Sequence, residues 1–180
     1  MPVLSGIVLA AGAGTRHGGP KALVPGWLGD ATHLLLDGGC ERVVVVLGAG
    51  ADEARHLVPV DARVETVTAD DWAQGMGVSL RTGLAHASGD AVVVTLVDLP
   101  GTPVTVVDRL LAAPGTTLAD DLRQATYRGR PGHPVLIGAH HWQPLAATLR
   151  GDRGARPYLR THGVLVIECG DLHHGRDEDV

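Results

Sequence analysis

Val3-Leu4-Ser5-Gly6-Ile7-Val8-Leu9-Ala10-Ala11-Gly12-Ala13-Gly14-Thr15-Arg16-His17-Gly18-Gly19-Pro20-Lys21 is the stretch that decides the fold. Residues 3–11 form an apolar run with little polar alternation, the pattern of a strand covered on both faces. The run empties directly into a glycine-rich turn that holds two cations, Arg16 and Lys21. Four further runs of this kind lie at 42–47, 63–67, 91–97 and 164–168. Helical stretches are expected at 52–57, 78–87, 103–113 and 139–148, the last interrupted by Pro144. The clearest is 103–113, with Val104, Val107, Leu110 and Leu111 on one face, Thr102 as N-cap and Pro103 at the first helical position. Strand and helix alternate through the first 113 residues, which predicts an α/β protein with a doubly wound, mainly parallel sheet and ligands at the carboxyl ends of its strands. Beyond residue 113, a run at 122–127, a turn at 128–132 and a run at 133–137 read as a β-hairpin insertion within the same single domain.

Composition narrows the partners. With 180 residues and 44% apolar content, the chain can fill one substantial core. There is no Phe and there are 25 Gly, so the core is built from branched aliphatics joined by many tight turns. The formal charge is −5 and the basic residues are scattered, which argues against a nucleic-acid or anionic-membrane surface. No apolar run approaches the roughly 20 residues of a membrane helix, and a soluble cytoplasmic protein is expected. Cys40 and Cys169 are far apart and form no CxxC pair, so they read as reduced structural thiols. The adjacent pairs His140-His141 and His173-His174 do not aim readily at one metal, and no zinc site is expected.

Three segments carry chemistry. In the loop after the first run, small residues let backbone N–H groups close on phosphate oxygens while Arg16 and Lys21 supply charge. Two familiar phosphate loops fail to fit it. The dinucleotide fingerprint begins at Gly12 and Gly14 but meets His17 where its third glycine belongs, and Leu47-Gly48-Ala49 puts no acid after the second strand. A Walker loop needs Gly-Lys-Ser/Thr, whereas the chain has Gly19-Pro20-Lys21-Ala22. The fourth strand ends in Val97-Asp98-Leu99-Pro100, which sets a carboxylate at the carboxyl edge of the sheet, where Mg²⁺ bridging a nucleotide's phosphates needs a hard oxygen ligand. A turn-forming role for Asp98 is the plainer alternative. In the third segment, residues 71–81, Gly75 and Gly77 flank Met76 and Ser79 lies in the first helical turn, so a planar base can rest on this backbone.

These segments, in this order and spacing, resemble the nucleotidyltransferase family that includes the molybdenum cofactor cytidylyltransferases and guanylyltransferases. The resemblance is carried by LAAGAGTRHGGPKAL (9–23), WAQGMGVSLRTGL (72–84), VVVTLVDLPGTP (92–103), YRGRPGHPVLIG (127–138) and GDRGARPYL (151–159), and so covers nearly the whole chain. It implies a Rossmann-like fold of the GT-A kind, with residues 1–113 as the nucleotide-binding part and 114–180 as the acceptor-side part. It also implies that Ala10, Ala11, Gly12, Ala13, Gly14, Thr15 and Arg16 wrap the nucleotide; the residues themselves add Leu9 to that wall and set Gly75, Met76 and Ser79 against the base. Lys21 is then a phosphate contact, Asp98 the Mg²⁺ ligand, and His133, Pro134 and Val135 the face toward a pterin acceptor. Leu9-Ala10-Ala11-Gly12, instead of the LAGG of the guanylyl branch, looks like the form associated with CTP. The chain departs from the family after Lys21, where Gly26-Trp27-Leu28-Gly29 stands, and in the tail, where only Glu178-Asp179 matches and Gly175 stands near an expected acid.

The reaction open to these residues is nucleotidyl transfer, in which an acceptor phosphate attacks the α-phosphate of an NTP and pyrophosphate leaves. A phosphomonoester, with a second pKa of about 6, is already mostly dianionic at neutral pH and needs no general base. Arg16, Lys21 and Mg²⁺ on Asp98 would neutralise the leaving charge. The favoured substrates are CTP and the molybdopterin cofactor, with a molybdoenzyme as the recipient of the product. Alternatives are a guanylyl, sugar-phosphate or other metabolite-phosphate transferase of the same fold, a non-catalytic nucleotide-binding accessory protein, and, more distantly, a dinucleotide-dependent oxidoreductase. For the metal, Asp98 alone is preferred over a site shared with Asp171 or Asp177 in the polar tail.

Overall fold

Every residue of β1 (Leu4–Ala10) is buried, because the strand has neighbours on both edges and helices on both faces. A computed structural model describes residues 2–177. In it β1 pairs in parallel with β2 (Arg42–Leu47) on one side and with β4 (Ala91–Leu96) on the other. β3 (Val64–Thr68) extends the sheet beyond β2. The hairpin of β5 (Leu122–Tyr127) and β6 (Arg130–Gly138) then joins the main sheet, and β7 (Leu165–Glu168) closes the order β3-β2-β1-β4-β6-β5-β7. Only β6 runs against the rest, pairing antiparallel with both β4 and β5. The predicted insertion is therefore not an appendage: its second strand adds directly to β4, with Val94 opposite Val135.

The strands alternate between two dry layers. Val8, Val43, Val45, Leu47 and Val93 face α1 (Trp27–Asp37) and α4 (Val104–Ala112). Ile7, Val44, Val46, Val92, Val94 and Ile137 face α3 (Met76–His86), α5 (Trp142–Thr148) and α6 (Arg156–Thr161). The short helix α2 (Ala51–Ala54) continues into a 3₁₀ turn, Arg55–Leu57.

Several local expectations change. α1 is missing from the sequence reading, because Gly26 and Gly29 mask the stripe of Leu28, Ala31 and Leu35 that it buries. α6 is likewise missing. Thr102 does not cap α4, since its Oγ1 donates to the Leu99 carbonyl and Pro103 occupies the cap position. Val106, not Val104, joins Val107 and Leu110 in the core, because the hairpin brings Ala125 and Tyr127 beneath it. Pro144 does not interrupt α5; it lies in the first turn, where no backbone N–H is needed. The hairpin turn is only Arg128 and Gly129, both at positive φ (54° and 75°), and β6 starts at Arg130. β7 is not a buried strand, since it lies at the sheet edge with Leu165 and Val166 exposed. The tail residues Glu178 and Asp179 lie outside the described residues, within which no helix is long and apolar enough to cross a membrane.

Two polar devices fasten the hairpin half. The buried Arg123 guanidinium donates to the carbonyls of Leu110 and Leu111, at 2.9 and 2.7 Å, where α4 runs out of its own donors, and it pairs with Asp121 at 2.5 Å. The Glu168 carboxylate accepts from the backbone N–H groups of Arg128, Gly129 and Gly170 and from Thr126 Oγ1, tying β7 to the hairpin turn. The Gly129 and Arg128 amides lead the causes that hold its pKa below the ordinary glutamate value.

Arg123→Ala leaves Asp121 and two helix carbonyls without their cation and should cost about 3–5 kcal/mol in urea unfolding. Arg123→Met combined with Asp121→Asn should recover much of that loss. Because the folded pKa of Glu168 is depressed, its contribution is complete above the unfolded value and is lost as pH falls through the folded one. The amide NMR signals of Arg128, Gly129 and Gly170 should therefore titrate together below about pH 4.3, and Glu168→Gln should abolish that step.

Candidate active site

β1 delivers the chain to the carboxyl edge of the sheet, and the following loop folds back on itself there. The Gly14 carbonyl accepts from the N–H groups of His17 and Gly19 at 2.9 and 3.1 Å. Gly14 has φ 58°, and a Cβ on it would stand 1.8 Å from the Gly19 carbonyl oxygen, so this turn requires glycine. The Ala11 carbonyl accepts from Ala49 N–H at 3.0 Å, which anchors the loop to the turn after β2. The chain then enters the 3₁₀ turn Lys21–Leu23, and Lys21 Nζ meets Asp98 Oδ2 at 2.8 Å with both side chains 16% exposed. The other Asp98 oxygen, Oδ1, is buried without a hydrogen-bond partner among the described residues.

Opposite the loop stands the N-terminus of α3. It follows the 3₁₀ turn Trp72–Gln74 and Gly75, whose φ of 115° suits no other residue well. A Cβ on Gly75 would also lie 2.4 Å from the Gly151 carbonyl carbon. The 3₁₀ turn Gly151–Arg153 can thus sit directly on the start of α3, and Arg81 Nη2 fastens the approach by donating to the Leu149 carbonyl at 2.6 Å.

Between loop and helix lies a cavity of about 460 Å³. Its walls include Leu9, Ala10, Ala11, Gly12, Ala13, Gly14, Thr15, Lys21, Gly75, Met76, Ser79 and Asp98, all singled out from the sequence. Arg16 does not line it and is exposed on the outer loop. Trp72 and Asp152 also line it and were not foreseen; Asp152 lies 54 positions after Asp98, and no local signal connects the two.

A second cavity of about 920 Å³ shares Leu9, Met76, Leu96 and Asp152 with the first, so the two meet at a common neck. It takes His133, Val135 and Ile137 from β6, and Arg153, Arg156 and Arg160 from the segment leading through α6. Pro134 is buried and does not line it. His133 is half-buried at the wall, its carbonyl accepting from Tyr127 O–H at 2.6 Å. Desolvation first, and the Arg156 charge second, pull its pKa down to about 4, so its imidazole is neutral at physiological pH. The tail acids separate: Asp177 lines this larger cavity, whereas Asp171 is held by Arg109 at 2.5 and 2.9 Å and lines neither. No group of three or more His, Cys, Asp or Glu among the described residues could hold a metal ion by itself.

Known proteins share this architecture. Nicotine blue oxidoreductase of Paenarthrobacter nicotinovorans is 41% identical over 199 aligned positions, covering 99% of this chain and 93% of that protein. The structure of a homologue of Mycobacterium tuberculosis Rv0371c from Mycobacterium sp. strain JC1 matches with a TM-score of 0.81 at 28% identity, covering 98% of this chain and 90% of that one. The Mycobacterium tuberculosis H37Rv Rv0371c complex with manganese matches with a TM-score of 0.71 at 26% identity, covering 93% and 87% respectively. The model of the MobA-like NTP transferase domain matches residues 6–166, from within β1 to within β7, and this chain belongs to that nucleotidyltransferase family.

Proposed function

We propose that the protein transfers CMP from CTP to the phosphate of molybdopterin cofactor, releasing pyrophosphate, in the cytoplasm, and that its product passes to a molybdoenzyme. The observation that carries this reading is the Lys21–Asp98 pair at the carboxyl edge of the sheet, in a cavity that opens into a second one. Residues 1–113 supply most of the nucleotide wall and 114–180 most of the acceptor wall. The division is shared at the neck, where Asp152 reaches the first cavity and Leu9 the second.

In this reading the loop from Leu9 to Arg16 wraps the nucleotide, and the backbone N–H groups at the start of α3 favour negative charge beside it. Ala11, where a glycine would leave more room, and the wall formed by Leu9, Ala10 and residues 75–79 suit a pyrimidine. Lys21 neutralises charge developing on the leaving pyrophosphate, and Arg16, exposed on the outer loop, is the second cation near it in sequence. The acceptor phosphate, already ionised, attacks through the neck, so the residues there align it and no base is required. The unpartnered Asp98 Oδ1 fits a Mg²⁺ ligand: it is a hard oxygen donor beside a phosphate loop, and this ion takes one or two carboxylates and completes its shell with water and phosphate oxygens. When bound, the ion supplies further charge neutralisation on the phosphates.

A second reading is favoured by one observation, the name of the 41% identical relative, which is that of an oxidoreductase. A dinucleotide would then occupy the first cavity and a reducible ring the second. Against it stand His17 in place of the fingerprint's third glycine and the lack of an acid after β2.

Pyrophosphate release measured with Mg²⁺, molybdopterin cofactor and each of four NTPs should be greatest with CTP. CTP at about 100-fold over its dissociation constant should stabilise the fold by about 2.7 kcal/mol. A larger thermal shift and faster release with GTP would reassign the base. Oxidation of a nicotinamide dinucleotide by a quinonoid dye, without pyrophosphate release from any NTP, would establish the second reading instead.

Asp98→Asn and Lys21→Ala should each lower turnover by about 10²–10³, the scale of losing one preorganised electrostatic contact. Circular dichroism should show the fold retained, since both residues lie at the rim of the core. Turnover within a few-fold of the parent in either variant would remove that residue from the site.

A further inference from the structure

The smaller cavity differs from one end to the other. Its glycine-rich loop leaves β1, the strand that lies between β2 and β4 in the order β3-β2-β1-β4. Lys21 meets Asp98, which follows β4, whereas the 3₁₀ turn Trp72–Gln74 follows β3 on the other side of the loop. Neighbouring strands lie about 4.8 Å apart, so the ends of β2 and β4 are roughly 10 Å from each other. One end of the cavity is charged, and toward the other stands Trp72, the one aromatic side chain that lines it among the described residues.

Trp72 is held against the loop by backbone. A Cβ on Gly48 would lie 2.6 Å from Trp72 Cγ and also 2.6 Å from the Ala11 carbonyl oxygen, so the missing side chain at Gly48 is what lets the indole approach the loop beside Ala11. Trp72 N–H donates to the Ala69 carbonyl and its own carbonyl accepts from Gly75 N–H, both at 3.0 Å, while Ala69 N–H donates to the Leu47 carbonyl at 2.8 Å. These bonds tie the residue to the end of β2 and to the start of α3 together, so little backbone freedom is left to lose when a ligand arrives. The other two tryptophans are engaged elsewhere. The Trp27 ring lies 5.8 Å from that of His17, and Trp142 Nε1 donates to the Ile137 carbonyl at 2.9 Å. Trp72 is half-buried, its ring makes no aromatic pair and its indole N–H no hydrogen bond among the described residues, and that nitrogen is not sealed in the core. An indole placed in this way on a cavity wall is suited to stacking on a planar ring.

We propose that Trp72 is the base-stacking residue of the smaller cavity: with the triphosphate at Lys21 and Asp98, the base of the nucleotide lies against the indole at the β3 end, beside Ala11. The proposal rests on the reading of this cavity as the nucleotide site and deepens it by giving the base its surface. Every base has a π-face, so Trp72 supplies affinity common to all four NTPs and leaves the choice among them to the other walls.

Calorimetry on the full chain with Mg²⁺ present compares CTP with inorganic tripolyphosphate, which carries the charge and no base. Trp72→Leu should weaken CTP binding at least about tenfold, while tripolyphosphate affinity stays within about twofold of the parent. Trp72→Phe should recover most of the CTP affinity. CTP should also quench the tryptophan fluorescence of the parent, and the quench should disappear in Trp72→Phe although CTP still binds, because Trp27 and Trp142 line neither cavity. Parallel loss of both ligands in Trp72→Leu, the mark of a merely structural role, would overturn the proposal, as would undiminished CTP affinity in that variant or a quench that persists in Trp72→Phe. A parent protein that binds tripolyphosphate but not CTP would remove the nucleotide reading together with this proposal, so the two failures are distinguishable.

Discussion

Burial of β1 on both faces is the constraint from which the rest of the architecture follows. Leu4–Ala10 has no exposed residue, so its peptide groups must be satisfied by neighbouring strands, and both β2 and β4 lie beside it in parallel. Parallel neighbours require helical crossovers, which cover the two faces with α1 and α4 on one side and α3 on the other. All three strands therefore end at the same edge. The glycine-rich loop leaves β1 there, Asp98 follows β4 there, and Ala49, just after β2, donates to the loop at Ala11. The Lys21–Asp98 pair is a consequence of this shared edge, since the two residues are 77 positions apart in sequence.

A second constraint couples the two cavities. The turn Gly151–Arg153 rests on the start of α3 so closely that a side chain at Gly75 would collide with it. Arg81 fixes the same approach from within α3 through the Leu149 carbonyl. The contact carries Asp152 to the neck and starts the arginine-bearing segment on the other side of it. On the opposite flank, the Glu168 clasp and the Arg123 cap hold the hairpin from which His133 reaches the wall of the larger cavity. The walls of the larger cavity thus depend on elements remote from the Lys21–Asp98 pair.

The lining of the smaller cavity was legible because its parts are contiguous or follow strand ends. A glycine-rich segment after an unbroken apolar strand, and an aspartate after another, need only the rule that parallel strands bring their carboxyl ends together. Eleven of the twelve residues named from sequence for the nucleotide do line the smaller cavity; Arg16 is the exception, because its position in the loop turns it outward. Less was legible in the larger cavity. His133 and Val135 were found through their motif, but the arginines of 151–160 were not separated from ordinary surface charge, because pattern alone does not reveal that a helix face borders a cavity.

The sequence by itself determined the parallel core, the glycine-rich loop with its lysine, and the carboxylate at the end of β4, because hydrophobic period, turn chemistry and strand-end position are local properties of the chain. Only the tertiary structure decided that the hairpin becomes part of the main sheet, that β7 is an exposed edge, and that Asp152 stands at the neck between two cavities. Those outcomes rest on strand order and on a backbone contact between segments about 75 residues apart, such as Gly75 against Gly151. Neither leaves a periodic trace in sequence, because the energy that selects it is packing between elements and not the preference of either one.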